Sequence, residues 1–251
     1  MLVFARALPR LRVVVDEPLA QDGLPRARVL ACAARLLDLG FFRIGTEGYA
    51  EENNTFGLAT MRKRHVTING DVVTFDYTAK SGKRRVQSIV DEQVALVVRD
   101  LKQRKGGGHE LLAHHDGERW VDIKSTDIND YLKLHTGEDI TAKDFRTWNA
   151  TVLCAVGLAQ TRAGGRTASV KRVIARAVKD VAEYLGNTPA VCRNSYIDPR
   201  VIDHYQAGTT IEKALAALDG DDPADLERTR QIIEDSVLDV LDTQATRADA
   251  A

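Results

Sequence analysis

The sequence predicts an α+β fold that is mainly helical, with a three-stranded antiparallel sheet joined to a helical bundle. Residues 56–90 contain three short runs, rich in β-branched residues, that alternate with a period of two; this is the pattern of half-buried strands. On both sides of this region, apolar residues recur at helical spacing instead. Turn dipeptides such as Asn69-Gly70 and Ser81-Gly82 stand where one run gives way to the next.

In chain order, residues 1–20 read as a linker. Residues 24–42 form a helix, with Pro25 in its first turn and Val29, Cys32, Ala33, Leu36 and Leu37 on one face. The strands are His65–Gly70, Val72–Tyr77 and Arg84–Val90, joined by hairpin turns at Asn69-Gly70 and Ser81-Gly82. Four helices follow: Val90–Lys105 ending at Gly106-Gly107-Gly108, Ser125–Thr136 opening on a Ser/Thr cap, Ala142–Ala163, and Val170–Leu185 stopping at Gly186. Residues 162–169 form a polar loop, and a helix starts near Val201, after Asp198-Pro199. Two tail helices, Thr210–Leu218 and Pro223–Asp242, flank a break at residues 219–223. The expected organisation is a linker (1–20), a main domain (21–210) and an acidic helical tail (211–251), with no internal repeat.

Composition narrows the function classes. Of 251 residues, 44% are hydrophobic and 28% charged, ordinary for a globular domain with a sizeable core. No apolar run approaches the ~18 residues a membrane span needs. Cys32, Cys154 and Cys192 lack metal-ligand spacing and read as free thiols of a reducing, cytoplasmic compartment. The net charge of −1 hides an uneven distribution: residues 211–251 carry 11 acidic and 4 basic groups, a net of −7, so the remainder carries +6. Nucleic-acid binding follows local basic clusters rather than the sum. The tail's acids read as a solvated face or a peripheral helix. The chain has no Gly-rich nucleotide loop, no His-Glu-x-x-His, no clustered carboxylates and no Cys-x-x-Cys, which argues against ATP, zinc and two-metal chemistry.

What remains is a set of cations among apolar neighbours. Arg43 stands between Phe41-Phe42 and Ile44-Gly45, and Arg146 lies within Lys143-Asp144-Phe145-Arg146-Thr147-Trp148. One such arginine is ordinarily a structural ion-pair partner. Here, however, Phe41–Gly45, Tyr49, Asn54–Leu58, Lys80, Lys143–Thr147 and Gly186–Tyr196 follow one another in order, with Arg43 and Lys80 37 residues apart. That order and spacing resemble the catalytic domain of the poxvirus-like and bacterial type IB DNA topoisomerases, over about residues 20–210.

The resemblance implies the tyrosine recombinase/topoisomerase IB catalytic fold and roles for specific residues. Tyr196 is similar in position to the nucleophile that forms a 3′-phosphotyrosyl bond while relaxing supercoiled DNA. Arg43 and Arg146 match the arginines that hold the non-bridging phosphate oxygens, where planar forks suit growing charge. Lys80 matches the general acid for the leaving 5′-oxygen, with Lys83, on the same turn, as the lesser candidate. Tyr49 and Lys143 match phosphate-contact positions. Asn187 stands where poxvirus members have a histidine; an amide can donate to a phosphate oxygen but cannot titrate. Known relatives carry a small β-rich domain ahead of the catalytic one, and residues 1–20 resemble the junction out of it. The resemblance further implies duplex DNA as partner, no cofactor, no nucleotide and a monomer. A tyrosine recombinase is the nearest alternative, though Lys143-x-x-Arg146 stands where recombinases usually have His-x-x-Arg. A catalytically silent DNA-binding module is the other. Cys192 reads as core filler and His114-His115 as part of a solvated loop.

Overall fold

The computed structural model describes residues 1–163, 169–218 and 226–243. The chain divides into two compact units, one of residues 7–145 and one of residues 1–6 with 146–251.

α1 (Leu2–Leu19) is a helix in the stretch expected to be a linker, and from Ala7 onward it belongs to the first unit. Leu8, Leu11, Val15 and Leu19 are buried at helical spacing, and Arg12 forks onto Asp38 at 2.9 and 3.1 Å. The two prolines of this stretch, Pro9 and Pro18, hid the pattern, because internal proline ordinarily breaks a helix. α2 (Arg26–Leu39) is capped at Pro25 and stops at Gly40, so Arg43 lies in non-helical chain beyond the helix rather than at its end. α3 (Glu47–Asn53) is a short helix that the sequence reading missed. Thr46 and Glu47 are start signals, but Gly48 and the short length conceal them.

The three-stranded sheet forms as expected, in the order β1 (Val66–Asn69), β2 (Val72–Ala79), β3 (Lys83–Val90), all antiparallel. Asn69 pairs with Val72 across a Gly70-Asp71 loop, with Gly70 at φ 58°. Ala79 pairs with Lys83 across Lys80-Ser81-Gly82, where Ser81 and Gly82 have φ of 67° and 70°. Val73, Phe75, Tyr77 and Ala79 are buried in alternation along β2, and Phe42 meets Phe75 edge-on at 4.9 Å. α4 (Glu92–Gln103) starts at Asp91, whose carboxylate accepts from the Val94 N–H at 2.8 Å.

β4 (Ala113–His115) and β5 (Trp120–Asp122) form a hairpin where a loop was expected. His115 sits edge-on to Trp120 at 5.1 Å, so this histidine belongs to strand packing; a three-residue strand is too short to show alternation. α5 (Ser125–Thr136) also departs in detail, because Ser125 is its first helical residue and not its cap. The Ser125 N–H donates to Glu47 at 3.0 Å, and Asp127 accepts from the Lys124 N–H at 2.8 Å. α6 (Ala142–Ala163) begins with Asp144 accepting from both the N–H and the hydroxyl of Thr141, each at 2.9 Å.

The second unit holds α6 from Arg146 onward, α7 (Val170–Leu185), α8 (Pro189–Ser195), α9 (Pro199–Gln206), α10 (Glu212–Leu218) and α11 (Leu226–Asp242). Buried Val173, Ile174, Ala177, Val178, Val181 and Leu185 make the inner stripe of α7. The tail is not merely a solvated face: Val237 and Leu241 of α11 are fully buried, and Glu234 is buried while accepting from Arg230 at 3.0 Å. The polar loop expected at 162–169 falls in part, and the break at 219–223 wholly, outside the described residues. Among the described residues, no helix is long and apolar enough to cross a membrane.

Candidate active site

In the first unit, Arg43 is held by its own backbone. Past Gly40, Phe42 is buried in the core, and the Arg43 and Ile44 carbonyls accept from the Leu58 and Ala59 N–H groups at 2.8 and 2.7 Å. Gly57 makes this approach possible, since a Cβ there would lie 2.6 Å from the Arg43 carbonyl oxygen and 2.5 Å from the Gly45 nitrogen. The motifs Phe41–Gly45 and Asn54–Leu58, distant in sequence, are therefore two sides of one contact. Asn54 ends α3 in the left-handed conformation, at φ 49°, which asparagine tolerates better than most residues.

Tyr49 projects from α3, exposed, and the Lys80 Nζ stands 5.7 Å from the centre of its ring. Lys80 is exposed on the β2–β3 loop, as the sequence suggested. Lys83 is not on that turn: it is the first residue of β3, paired with Ala79. Lys143 is exposed on the first turn of α6.

In the second unit, Arg146 is only 3% exposed. It donates to the Leu185 carbonyl at 3.1 Å, and its guanidinium carbon lies 5.2 Å from the centre of the Tyr196 ring. A desolvated cation over an aromatic face is worth about 2 kcal/mol. The run Gly186-Asn187-Thr188-Pro189 then sets the tyrosine residue by residue. Gly186 takes a left-handed φ of 68° to end α7, and the Asn187 N–H returns to the Ala182 carbonyl at 2.9 Å, a Schellman stop. Thr188 caps α8, accepting from the Val191 N–H at 3.3 Å, with Pro189 in the first turn; such a cap contributes about 1 kcal/mol. Tyr196 follows as the half-helical last residue, its N–H on the Cys192 carbonyl at 3.0 Å. Arg146, Asn187 and Tyr196 are thus gathered in one unit, and Arg43, Tyr49, Lys80, Lys83 and Lys143 in the other.

Cys192 behaves as filler. It is fully buried, and burial pushes its thiol upward against the opposing pull of Arg146. Burial likewise pushes Cys154 up to about 12. Sequence reasoning missed Thr151, which lies on α6 beyond Arg146 and touches the backbone around Tyr196. A threonine inside an apolar helix gives no signal by itself.

Residues 1–220 match the family model of the eukaryotic DNA topoisomerase I catalytic core. The chain belongs to the type IB DNA topoisomerase family. Among relatives of this topoisomerase core, the DNA topoisomerase 1B of Acanthamoeba polyphaga mimivirus is 27% identical over 209 residues, covering 81% of this chain and 62% of the viral protein. DNA topoisomerase I of monkeypox virus is 22% identical over 198 residues, with 78% and 60% covered. DNA topoisomerase 1 of Candidozyma auris is 32% identical over 138 residues, with 54% and 17% covered. The chain therefore spans 60–62% of the length of these viral relatives.

Proposed function

We propose that this chain relaxes supercoiled duplex DNA by cutting one strand, holding the end through a 3′-phosphotyrosyl bond to Tyr196, and rejoining it. The observation that carries the reading is the Tyr196 ring lying 5.2 Å from the buried Arg146 guanidinium, in a chain of the type IB family. In this reading the Tyr196 Oη releases its proton to water and attacks the scissile phosphorus, and the bond to the 5′-oxygen breaks as the new P–O bond forms. Lys80 gives a proton to that leaving oxygen. Arg43 and Arg146 hold the non-bridging oxygens, whose charge grows in the transition state, and Asn187 donates an amide N–H to one of them. Tyr49, Lys143 and Lys83 contact phosphates alongside. The phosphotyrosyl bond conserves the energy of the broken phosphodiester, so attack by the 5′-hydroxyl reverses the step without a nucleotide. The partner is duplex DNA, the working form is a monomer in the cytoplasm, and neither metal nor cofactor takes part.

The test is a duplex nicked so that the released strand diffuses away. The wild-type chain should form a protein–DNA adduct that survives detergent, while Tyr196→Phe, which keeps the ring, should bind DNA equally well and form none. An adduct on Tyr196→Phe would end this reading.

A further inference from the structure

We propose that Thr151, Asp198 and Arg200 form a strap that positions Tyr196, with the acidic C-terminal helix α11 as its anchor. This rests on Tyr196 being the nucleophile, as proposed above. Thr151 is 0% exposed and follows Arg146 by five residues on α6. Its hydroxyl donates to the Thr147 carbonyl at 2.7 Å and accepts from the Asp198 N–H at 3.0 Å. A hydroxyl has one proton and two lone pairs, so both bonds are made at once. The Tyr196 carbonyl lies 3.5 Å from the same oxygen. Bonding back to residue i−4 is ordinary for a helical threonine. The second bond ties the backbone just past the nucleophile to the helix that carries Arg146.

The strap continues through Asp198, whose carboxylate caps α9 by accepting from the Arg200 N–H at 3.1 Å. It also receives the Arg200 fork, Nε to Oδ1 at 3.0 Å and Nη2 to Oδ2 at 2.7 Å. Burial alone would raise the Asp198 carboxyl; the bonds to Arg200 outweigh it and hold it below the usual carboxylate range. Arg200 Nη1 then reaches the Leu241 carbonyl at 3.1 Å, in the last turn of α11. That helix is seated by its buried Val237 and Leu241, and Arg6 pairs with the adjacent Asp242 at 2.5 Å. The purpose follows from the shortness of α8, 7 residues with Tyr196 as its C-cap. In-line attack tolerates little error, and a displacement of about 1 Å costs on the order of 10²-fold in rate. Upstream of Tyr196 the chain is set by Thr188; downstream, the strap sets it.

The test uses the full chain and three readouts: single-turnover cleavage, DNA affinity and thermal midpoint. Thr151→Val keeps the shape and removes the hydroxyl, and should slow cleavage by about 10- to 100-fold while DNA affinity is unchanged. Thr151→Ser should recover most of the rate. Arg200→Ala should slow cleavage in the same way, with Arg200→Lys intermediate, and this second series decides the matter if Thr151→Val fails to fold. Thr151→Val and Arg200→Ala cleaving at the wild-type rate, with Tyr196→Phe inactive, would overturn the strap and leave the nucleophile assignment standing. Parallel loss of affinity and rate would also overturn it, since that marks a general structural role. A wild-type chain forming no adduct would remove the function on which the strap rests.

Discussion

Arg146 and Lys80 are both cations, yet their surroundings fit them to different work. Arg146 is buried, bonded to the Leu185 carbonyl and stacked near Tyr196; a guanidinium stays protonated in any such setting, so it can stabilise charge but not give up a proton. Lys80 stands exposed on a three-residue loop beside Tyr49, and a lysine, unlike an arginine, is a residue type that serves as a general acid. The two roles separate experimentally. Arg146→Ala should cut the cleavage rate by on the order of 10²–10³, and Lys80→Ala by about 10²–10⁴. Replacing the 5′-bridging oxygen with sulfur should largely repair Lys80→Ala, because a thiolate leaves unprotonated. It should not repair Arg146→Ala, because in the proposed role the negative charge on the non-bridging oxygens would still lack its guanidinium partner. The opposite rescue pattern, read by single-turnover cleavage, would overturn both assignments.

At the scale of elements, the short helical turn that feeds β1 carries a pH dependence. The His65 ring packs tilted against Phe56 at 4.4 Å, and its Nδ1 accepts from the Arg62 N–H at 3.2 Å. Burial, then the charges of Arg64 and Arg62, push it down from 6.5 to about 4. Because the folded value is depressed, the unfolded chain takes up a proton first as pH falls. This contribution to stability is complete above pH 6.5 and drains away between 6.5 and about 4. The thermal midpoint should therefore drop across that window, and His65→Gln should flatten part of the drop. Identical slopes for the two proteins would show that His65 titrates in the fold as it does in the open chain.

For the whole molecule, net charge is a poor guide, because an excess of acidic over basic residues falls at one end of the sequence. If the proposed function holds, the charge that meets phosphates belongs to residues 1–210, whose net is +6. DNA binding should fall steeply as salt rises, with a log–log slope near −0.9 for each phosphate neutralised, whatever the base sequence. Relaxation should persist in a chelator without added nucleotide if, as proposed, cationic side chains supply the stabilisation a metal would otherwise give. Activity that needs added divalent metal, followed by gel assay of supercoiled plasmid, would contradict this.

Sequence alone determined the features written in local periodicity or in residue-specific conformation. The alternation of Val73, Phe75 and Tyr77 gave the sheet, the stripe of α7 gave its helix, and Gly186 marked its end, because each depends on neighbours within a turn or a pleat. The proposed site residues stand out in the sequence as an ordered set of motifs, though not as a geometry. Whatever depends on contacts between distant segments was decided only by the tertiary structure. Gly57 must be glycine because the Arg43 carbonyl passes over it, a fact stored in neither motif. α1 is a helix despite Pro9 and Pro18 because its apolar face is buried. The tail, whose acids read as a solvated face or a peripheral helix, is seated by Val237 and Leu241 and bonded to Arg200. Burial and long-range hydrogen bonds are properties of the assembled chain, and a buried side chain such as Thr151 acquires its meaning only from what the fold brings beside it.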